Sequence, residues 1–167
     1  MAATCALFNV TKDEVLSHAL RLQQRWNDAE ITRFEVVGSF VDFITDTIDN
    51  KTSNFDEGLL NHLHIYTMTK DDGGQVTTPK SISHLGSLLR ATIWIPFITG
   101  EGLWYQDNET GQFHIDGGFG TSLYPQFETS LYTPVEMATD VMMNLFNMNV
   151  SPDLAHSYWT KGFFYGI

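Results

Sequence analysis

Residues 111–125 read GQFHIDGGFGTSLYP, in which a short apolar strand pattern runs directly into an acid and two glycines. The pattern predicts a strand that ends at Asp116. Because Asp-Gly pairs are common in turns, an ordinary turn is one interpretation of this acid. The other interpretation is a carboxylate held at the mouth of a cleft, with glycines that allow the backbone to pass close beside it. The segments before and after this stretch help to distinguish the turn from the cleft.

Upstream of this stretch, the sequence predicts a β-hairpin followed by a helix. Residues 63–70 alternate apolar and polar side chains, an Asp-Asp-Gly-Gly turn follows, and residues 75–78 form the return strand. Ser81 or Ser83 is suited to cap a helix that must stop before Pro96. The hairpin and helix therefore lead into the dense apolar segment around that proline.

Further helices are predicted on both sides of these elements. Residues 11–14 form a capping box, and the apolar spacing behind it predicts a helix to about Asn27. A second helix is predicted over residues 33–48, and capping patterns at Thr133 and Ser151 predict two more. Alternation of helices and strands indicates the α/β class, in a single domain over residues 1–167.

Composition and charge exclude several classes of function. The chain has 9 basic and 20 acidic residues, and its net charge is −11, which argues against a nucleic-acid or anionic-membrane partner. A lone cysteine, Cys5, excludes an internal disulfide and a cysteine-rich metal site. The first residues lack the basic start of a signal peptide, and no apolar run is long enough to span a membrane. These features favour an intracellular protein.

Taken in order, these elements resemble the C-terminal half of the patatin-like phospholipase domain, closest to its triacylglycerol-lipase branch. Residues 90–96 match the family segment that ends in proline, residues 116–118 match its Asp-Gly-Gly, and residues 158–162 match its closing helix. The resemblance covers residues 35–166. Residues 1–7 resemble the small-residue helix that follows the nucleophile in the family. The resemblance implies a partial three-layer sandwich, with a reduced central sheet flanked by helices.

The resemblance also implies a chemistry, ester hydrolysis of a phospholipid or acylglycerol by a Ser-Asp dyad. Asp116 would be the general base, and Gly117 and Gly118 would supply the backbone beside the substrate. We expect Asp116 to end its strand at an open cleft, with one of these glycines at positive φ. Candidates for the wall of the acyl pocket are Ile93, Trp94, Ile95, Phe97, Ile98 and Trp104.

The chain departs from the family pattern at the nucleophile. The Gly-x-Ser-x-Gly elbow and the glycine-rich oxyanion loop do not occur in this sequence, and the nearest stretch, residues 120–124, lacks the second glycine. The interpretation is therefore a C-terminal part that supplies the dyad acid but no serine nucleophile, and that is inactive by itself. An alternative is a catalytically inactive patatin-like subunit, structural or lipid-binding, within a larger assembly.

Two further expectations concern ligands and partners. His62 and His64 are predicted to place two imidazoles on one face of a strand, and with His114 and Asp116 they form a permissive pattern for a metal site. Strand histidines are, however, more often surface or hydrogen-bonded residues. We therefore predict no metal and no cofactor. The half-domain would leave a sheet edge bare, so the remainder of its own polypeptide or another subunit is expected to cover that edge.

Overall fold

The computed structural model describes residues 2–51 and 57–119, together with residue 153. The described residues up to 119 belong to one compact unit, residues 1–124. The helices predicted after Thr133 and Ser151 lie outside the described residues, apart from Asp153, which is helical. Residues 158–162, which are expected to correspond to the closing helix of the family, also lie outside them.

Three helices form the N-terminal part of the fold: α1 (Ala2–Leu7), α2 (Lys12–Asn27) and α3 (Arg33–Lys51). The capping box before α2 is confirmed, since the Glu14 N–H donates to the Thr11 hydroxyl and the Thr11 N–H donates to the Glu14 carboxylate, at 3.3 and 2.8 Å. Lys51, the last residue of α3, donates from Nζ to Glu14 at 2.7 Å. Hydrogen bonds from Lys51 and Thr11 lower the pKa of Glu14 to about 2. The end of α3 is thereby attached to the start of α2.

Four short strands form one antiparallel sheet: β1 (Ile65–Thr69), β2 (Gly73–Thr77), β3 (Tyr105–Gln106) and β4 (Phe113–Asp116). Their order is β2-β1-β4-β3, with every neighbouring pair antiparallel. The predicted hairpin is confirmed as the β1-β2 pair. The strand predicted to end at Asp116 is also confirmed, and it lies in the interior of the sheet between β1 and β3.

Helix α4 (Ile82–Ala91) joins the hairpin to the rest of the sheet. Ser81 is its N-cap, because its hydroxyl accepts the His84 N–H at 3.0 Å. The buried side chains of α4, among them Leu85 and Leu89, share one core cluster with Ile44 and Ile48 of α3. The α/β class is therefore confirmed at the level of helices packed with a sheet.

The two faces of the sheet differ in burial. On one face, alternate residues Thr67 and Thr69 of β1 and His114 of β4 are buried. On the other face, Tyr66 and Ile115 remain partly exposed. The first face is therefore buried, whereas the second is only partly covered.

Candidate functional site

Asp116 is placed by backbone contacts on two sides. It is the last residue of β4, where its Cα pairs with that of Thr67 on β1. Its N–H donates to the carbonyl of Trp94 at 3.0 Å, which ties the strand end to the segment after α4. The two regions that carry the family resemblance, around residues 90–96 and 116–118, are therefore in direct contact.

The carboxyl group of Asp116 is half-buried and forms a tight local hydrogen bond. Its Oδ1 accepts the Gly118 N–H at 2.7 Å. Burial raises the pKa of Asp116, and the bond from Gly118 offsets part of this effect. A carboxylate with a raised pKa is a stronger base than one in water, which suits proton abstraction. Among the described residues, Gly118 is the one whose hydrogen bond to this carboxyl is observed, and that bond involves Oδ1.

The two glycines after Asp116 do not have the backbone conformation that we expected. Positive φ is found at Gly73 and Gly111, not at Gly117 or Gly118, and residues Gly117–Phe119 form a short 3-10 turn. The requirement for glycine at 117 is steric instead. A Cβ there would lie 2.8 Å from the carbonyl oxygen of Tyr66 and would also overlap the Tyr66 ring. Gly117 therefore allows the turn to press directly against β1.

Residues 93–104 form a hydrogen-bonded loop beside the strand end. The Thr99 hydroxyl accepts the Ile95 N–H at 2.8 Å and donates to the Ile93 carbonyl at 2.5 Å. The Trp94 indole donates to the Gly102 carbonyl at 3.1 Å, and a Cβ at the buried Gly100 would overlap the Trp94 ring. These contacts fix the Trp94 side chain within the loop.

The candidate pocket residues occupy different surroundings. Ile93 packs against the core cluster, and Trp94 and Trp104 are half-buried. Phe97 is 60% exposed and has a φ of 62°. Ile93 is therefore accounted for by core packing, whereas Phe97 lies at the surface.

A buried polar group, not predicted from the sequence, lies on the covered face of the sheet. His114, two residues before Asp116, is 2% exposed, and its Nδ1 lies 3.0 Å from the Thr67 hydroxyl. Burial lowers the pKa of His114; the Asp107 carboxylate acts in the opposite direction, and His84 adds to the lowering. The polar residues at alternating positions of β1 and β4 are the sequence signal for this group.

Asp107 closes the loop between β3 and β4. Its carboxylate accepts the Glu109 N–H at 3.0 Å and the Thr110 hydroxyl at 2.6 Å. Although burial acts to raise the pKa of Asp107, hydrogen bonds from Thr110, Glu109 and Ser87 lower it. The Ser87 hydroxyl also lies 3.3 Å from the Tyr105 hydroxyl. This acid is therefore a buried loop-closing residue rather than a free base.

We expect the buried His114 to make folding sensitive to mild acid. Its folded pKa lies below the ordinary value of 6.5, so the unfolded chain binds more protons in the interval between them. The contribution of His114 to the free energy of unfolding is then fully present above pH 6.5, and it is lost as the pH falls from 6.5 toward the folded pKa. Urea titrations at about pH 7.5 and about pH 5.5 should give a lower free energy of unfolding at the acid pH.

The control is His114→Gln, which cannot titrate and should reduce this difference. His18 also has a pKa lowered by burial, so His18→Gln measures its separate contribution. The pKa of Glu14 is lowered from its ordinary value of 4.5. Its effect on stability is therefore confined to pH values below 4.5, outside the interval between pH 5.5 and 7.5 that the titrations compare. An identical pH difference in wild type and His114→Gln would contradict the assignment.

The histidines considered for a metal site are not brought together. His62 ends a 3-10 helix (Glu57–His62) rather than lying on a strand, so the expectation of two imidazoles on one strand face is wrong. The exposed His64 has its Nδ1 3.1 Å from the Thr78 hydroxyl, whereas His114 is buried. Within the described ranges, no group of three His, Cys, Asp or Glu residues is arranged to hold a metal ion.

Cys5 is buried in the core cluster with Phe8 and Val10. Burial raises the pKa of its thiol, which disfavours the nucleophilic thiolate. Cys5 is therefore a small core residue rather than an activated nucleophile.

Comparisons with family models, with curated proteins and with solved structures give no match to this chain. Within residues 2–51 and 57–119, none of the helices has the length and apolar character needed to cross a membrane. The functional interpretation therefore depends on the geometry of the described residues.

Proposed function

We propose that this chain is the C-terminal part of a patatin-like serine acyl hydrolase that cleaves phospholipid or acylglycerol esters. The observation that carries the proposal is the position of Asp116. It ends an interior strand with its pKa raised by burial, directly beside the segment that follows α4. In this proposal the fold is a partial three-layer sandwich, and the described sheet and helices contribute to two of its layers.

The chemistry requires a nucleophilic serine on a Gly-x-Ser-x-Gly elbow, and that motif does not occur in this sequence. A serine hydroxyl is a poor nucleophile until a base accepts its proton, and in a dyad the acid does so directly. The role of Asp116 is to accept that proton and to return it to the leaving group. Oδ1 is held by the Gly118 N–H at 2.7 Å, which fixes the orientation of the carboxyl plane. The serine is proposed to come from a Gly-x-Ser-x-Gly segment joined upstream of residue 1.

The partly covered face of the sheet supports a larger assembly. Tyr66 and Ile115 are only half-buried there, and β2 and β3 are the outer strands of the described sheet. Unpaired strand edges and apolar faces are usually covered in stable proteins. We propose that the remainder of the polypeptide, or another subunit, packs against this sheet.

An inactive structural or lipid-binding subunit is the second candidate. The Asp116 carboxylate accepts the N–H of Gly118, two residues further along the chain. An acid in an ordinary turn forms the same hydrogen bond, so this bond favours the second candidate. The coding sequence upstream of residue 1 distinguishes the two. A Gly-x-Ser-x-Gly segment in the same reading frame supports the enzyme, and its absence supports the inactive subunit.

The purified 167-residue chain should not hydrolyse short acyl esters, because a carboxylate without a serine elbow forms no acyl-enzyme. The measurement is release of nitrophenol from a butyrate ester, compared with a buffer blank. The matched sample is a polypeptide that joins this chain to the upstream elbow segment, which should be active. Activity of the isolated chain that disappears in Asp116→Asn would contradict the proposal, because it would require a nucleophile within these residues.

A further inference from the structure

The backbone of Asp116 is bonded to the peptide group that joins Trp94 to Ile95. The carbonyl of this group belongs to Trp94 and accepts the Asp116 N–H at 3.0 Å. The N–H of the same group belongs to Ile95 and donates to the Thr99 hydroxyl at 2.8 Å. A peptide group is planar and trans, so a partner that holds its N–H also fixes the direction of its carbonyl. The Thr99 hydroxyl is therefore linked to Asp116 through one rigid group.

The Thr99 hydroxyl also holds the preceding peptide group. It donates to the Ile93 carbonyl at 2.5 Å. The two soft dihedral angles of Trp94 lie between the two peptide groups that this hydroxyl bonds. A hydroxyl can donate one hydrogen bond and accept another, and donation strengthens it as an acceptor. Replacement of Thr99 by an apolar residue therefore releases both peptide groups around Trp94.

A tight turn brings Thr99 back to Trp94. The Ile95 carbonyl accepts the N–H groups of Thr99 and Gly100, at 3.0 and 3.3 Å. Gly100 is buried, and a Cβ there would overlap the Trp94 ring. Threonine is branched at Cβ, which restricts the rotation of its side chain. The loop by itself thus places the Thr99 hydroxyl.

The bond to Trp94 replaces a strand partner at the end of β4. The two residues of β3 pair with Phe113 and His114 of β4, and the pairing ends before Asp116. On the other side of β4, the Cα of Asp116 pairs with that of Thr67 on β1. The Trp94 carbonyl therefore continues the hydrogen bonding past the end of β3, and it restrains the residue that carries the candidate base.

We propose that Thr99 is a positioning residue for Asp116, and that it acts through the Trp94–Ile95 peptide group to hold the carboxyl at the strand end. The catalytic meaning of this inference rests on the proposed function, whereas the placement of the carboxyl can be measured in this chain alone. A displacement of about 1 Å in a catalytic site can lower the rate about 10²-fold. A residue that takes no part in the proton transfer can therefore still control its rate.

The test in the full 167-residue chain compares two variants of Thr99 by NMR. Thr99→Val keeps the shape of the side chain but removes the hydroxyl, whereas Thr99→Ser keeps the hydroxyl. The readouts are hydrogen exchange of the Asp116 amide and the pH titration of the Asp116 carboxyl carbon. Thr99→Val should speed the exchange about tenfold, because the bond to Trp94 is weakened. It should also shift the pKa of Asp116, which burial raises, back toward the ordinary value of 3.8, because water reaches the carboxyl.

The other variants make the result specific to the Thr99 hydroxyl. Thr99→Ser should give the wild-type exchange and titration. Thr47→Val is the matched control, because the Thr47 hydroxyl on α3 donates to the Phe43 carbonyl at 2.7 Å, outside the loop. It should leave the exchange and titration of Asp116 unchanged. If Thr99→Val does not fold, Thr99→Ala removes the hydroxyl with a smaller side chain and should give the same two changes at Asp116.

The joined polypeptide supplies a catalytic readout. Thr99→Val should lower kcat about tenfold and leave KM within about twofold, and Thr99→Ser should retain the wild-type kcat. If Asp116→Asn is fully active in that polypeptide, the proposed function fails. Exchange and titration of Asp116 in the isolated chain still decide the role of Thr99 in that case.

Four results would overturn the inference. The first is wild-type exchange and titration of Asp116 in Thr99→Val. The second is a change in Thr99→Ser as large as that in Thr99→Val, because the hydroxyl would then not be the group that acts. The third is an unchanged kcat in Thr99→Val where Asp116→Asn abolishes activity. The fourth is loss of the fold in both variants without the hydroxyl, which would assign Thr99 to the stability of the whole chain.

Discussion

Asp116→Asn should lower kcat about 10³-fold in a polypeptide that joins this chain to the proposed upstream Gly-x-Ser-x-Gly segment. An amide does not accept the serine proton, so formation of the acyl-enzyme would lose its base. The amide oxygen can still accept the Gly118 N–H, which now bonds Oδ1 at 2.7 Å. The fold should therefore survive, and steady-state hydrolysis of an acyl ester measures the loss directly.

A control acid and a pH profile test whether the effect is specific to Asp116. Glu101→Gln removes an exposed acid from the neighbouring loop and should leave kcat within about twofold, because this side chain has no part in the proton transfer. Burial raises the pKa of Asp116. The activity of the joined polypeptide with an intact Asp116 should therefore be lost as the pH falls through that raised value, because the base becomes protonated. A fully active Asn variant would exclude Asp116 as the base.

Elements with local signals could be predicted from the sequence. The helix boundaries at Thr11 and Ser81 depend on side chains that bond backbone N–H groups three residues away, so the pattern and its cause lie within one turn. The β1-β2 hairpin follows from a turn between two alternating segments. The end of β4 at Asp116 was predictable for the same reason, whereas its catalytic role stays a prediction.

Features that depend on distant residues could not be predicted. The pairing of β4 with β1 brings Thr67 beside His114, 47 residues apart, and no local pattern specifies it. The positive φ of Phe97 runs against residue preference and depends partly on Arg33, which is 64 residues away. The positive φ expected at Gly117 or Gly118 was wrong. Glycine is required at position 117 because Tyr66 approaches it closely, not because the turn is left-handed.

Gly117→Ala should destabilise the fold by about 2 kcal/mol, a typical cost of overpacking a closely packed site. The added methyl would lie 2.8 Å from the Tyr66 carbonyl oxygen and would overlap the Tyr66 ring. A ring can rotate away, but the carbonyl belongs to β1, which pairs with both β2 and β4. Relief therefore requires the turn after Asp116 to move. Denaturant unfolding measures the change in midpoint at constant slope.

Gly102→Ala is the matched control for this substitution. The nearest atom to a Cβ at Gly102 is 3.7 Å away, an ordinary contact, and its φ is not positive. Its stability should stay within about 0.5 kcal/mol of the wild type. Combining Gly117→Ala with Tyr66→Leu then separates the two clashes, because the smaller side chain removes the ring but leaves the carbonyl. If Gly117→Ala unfolds at the same denaturant concentration as Gly102→Ala, contact with β1 does not fix this turn, and the orientation of Asp116 must depend on its bond to Trp94 instead.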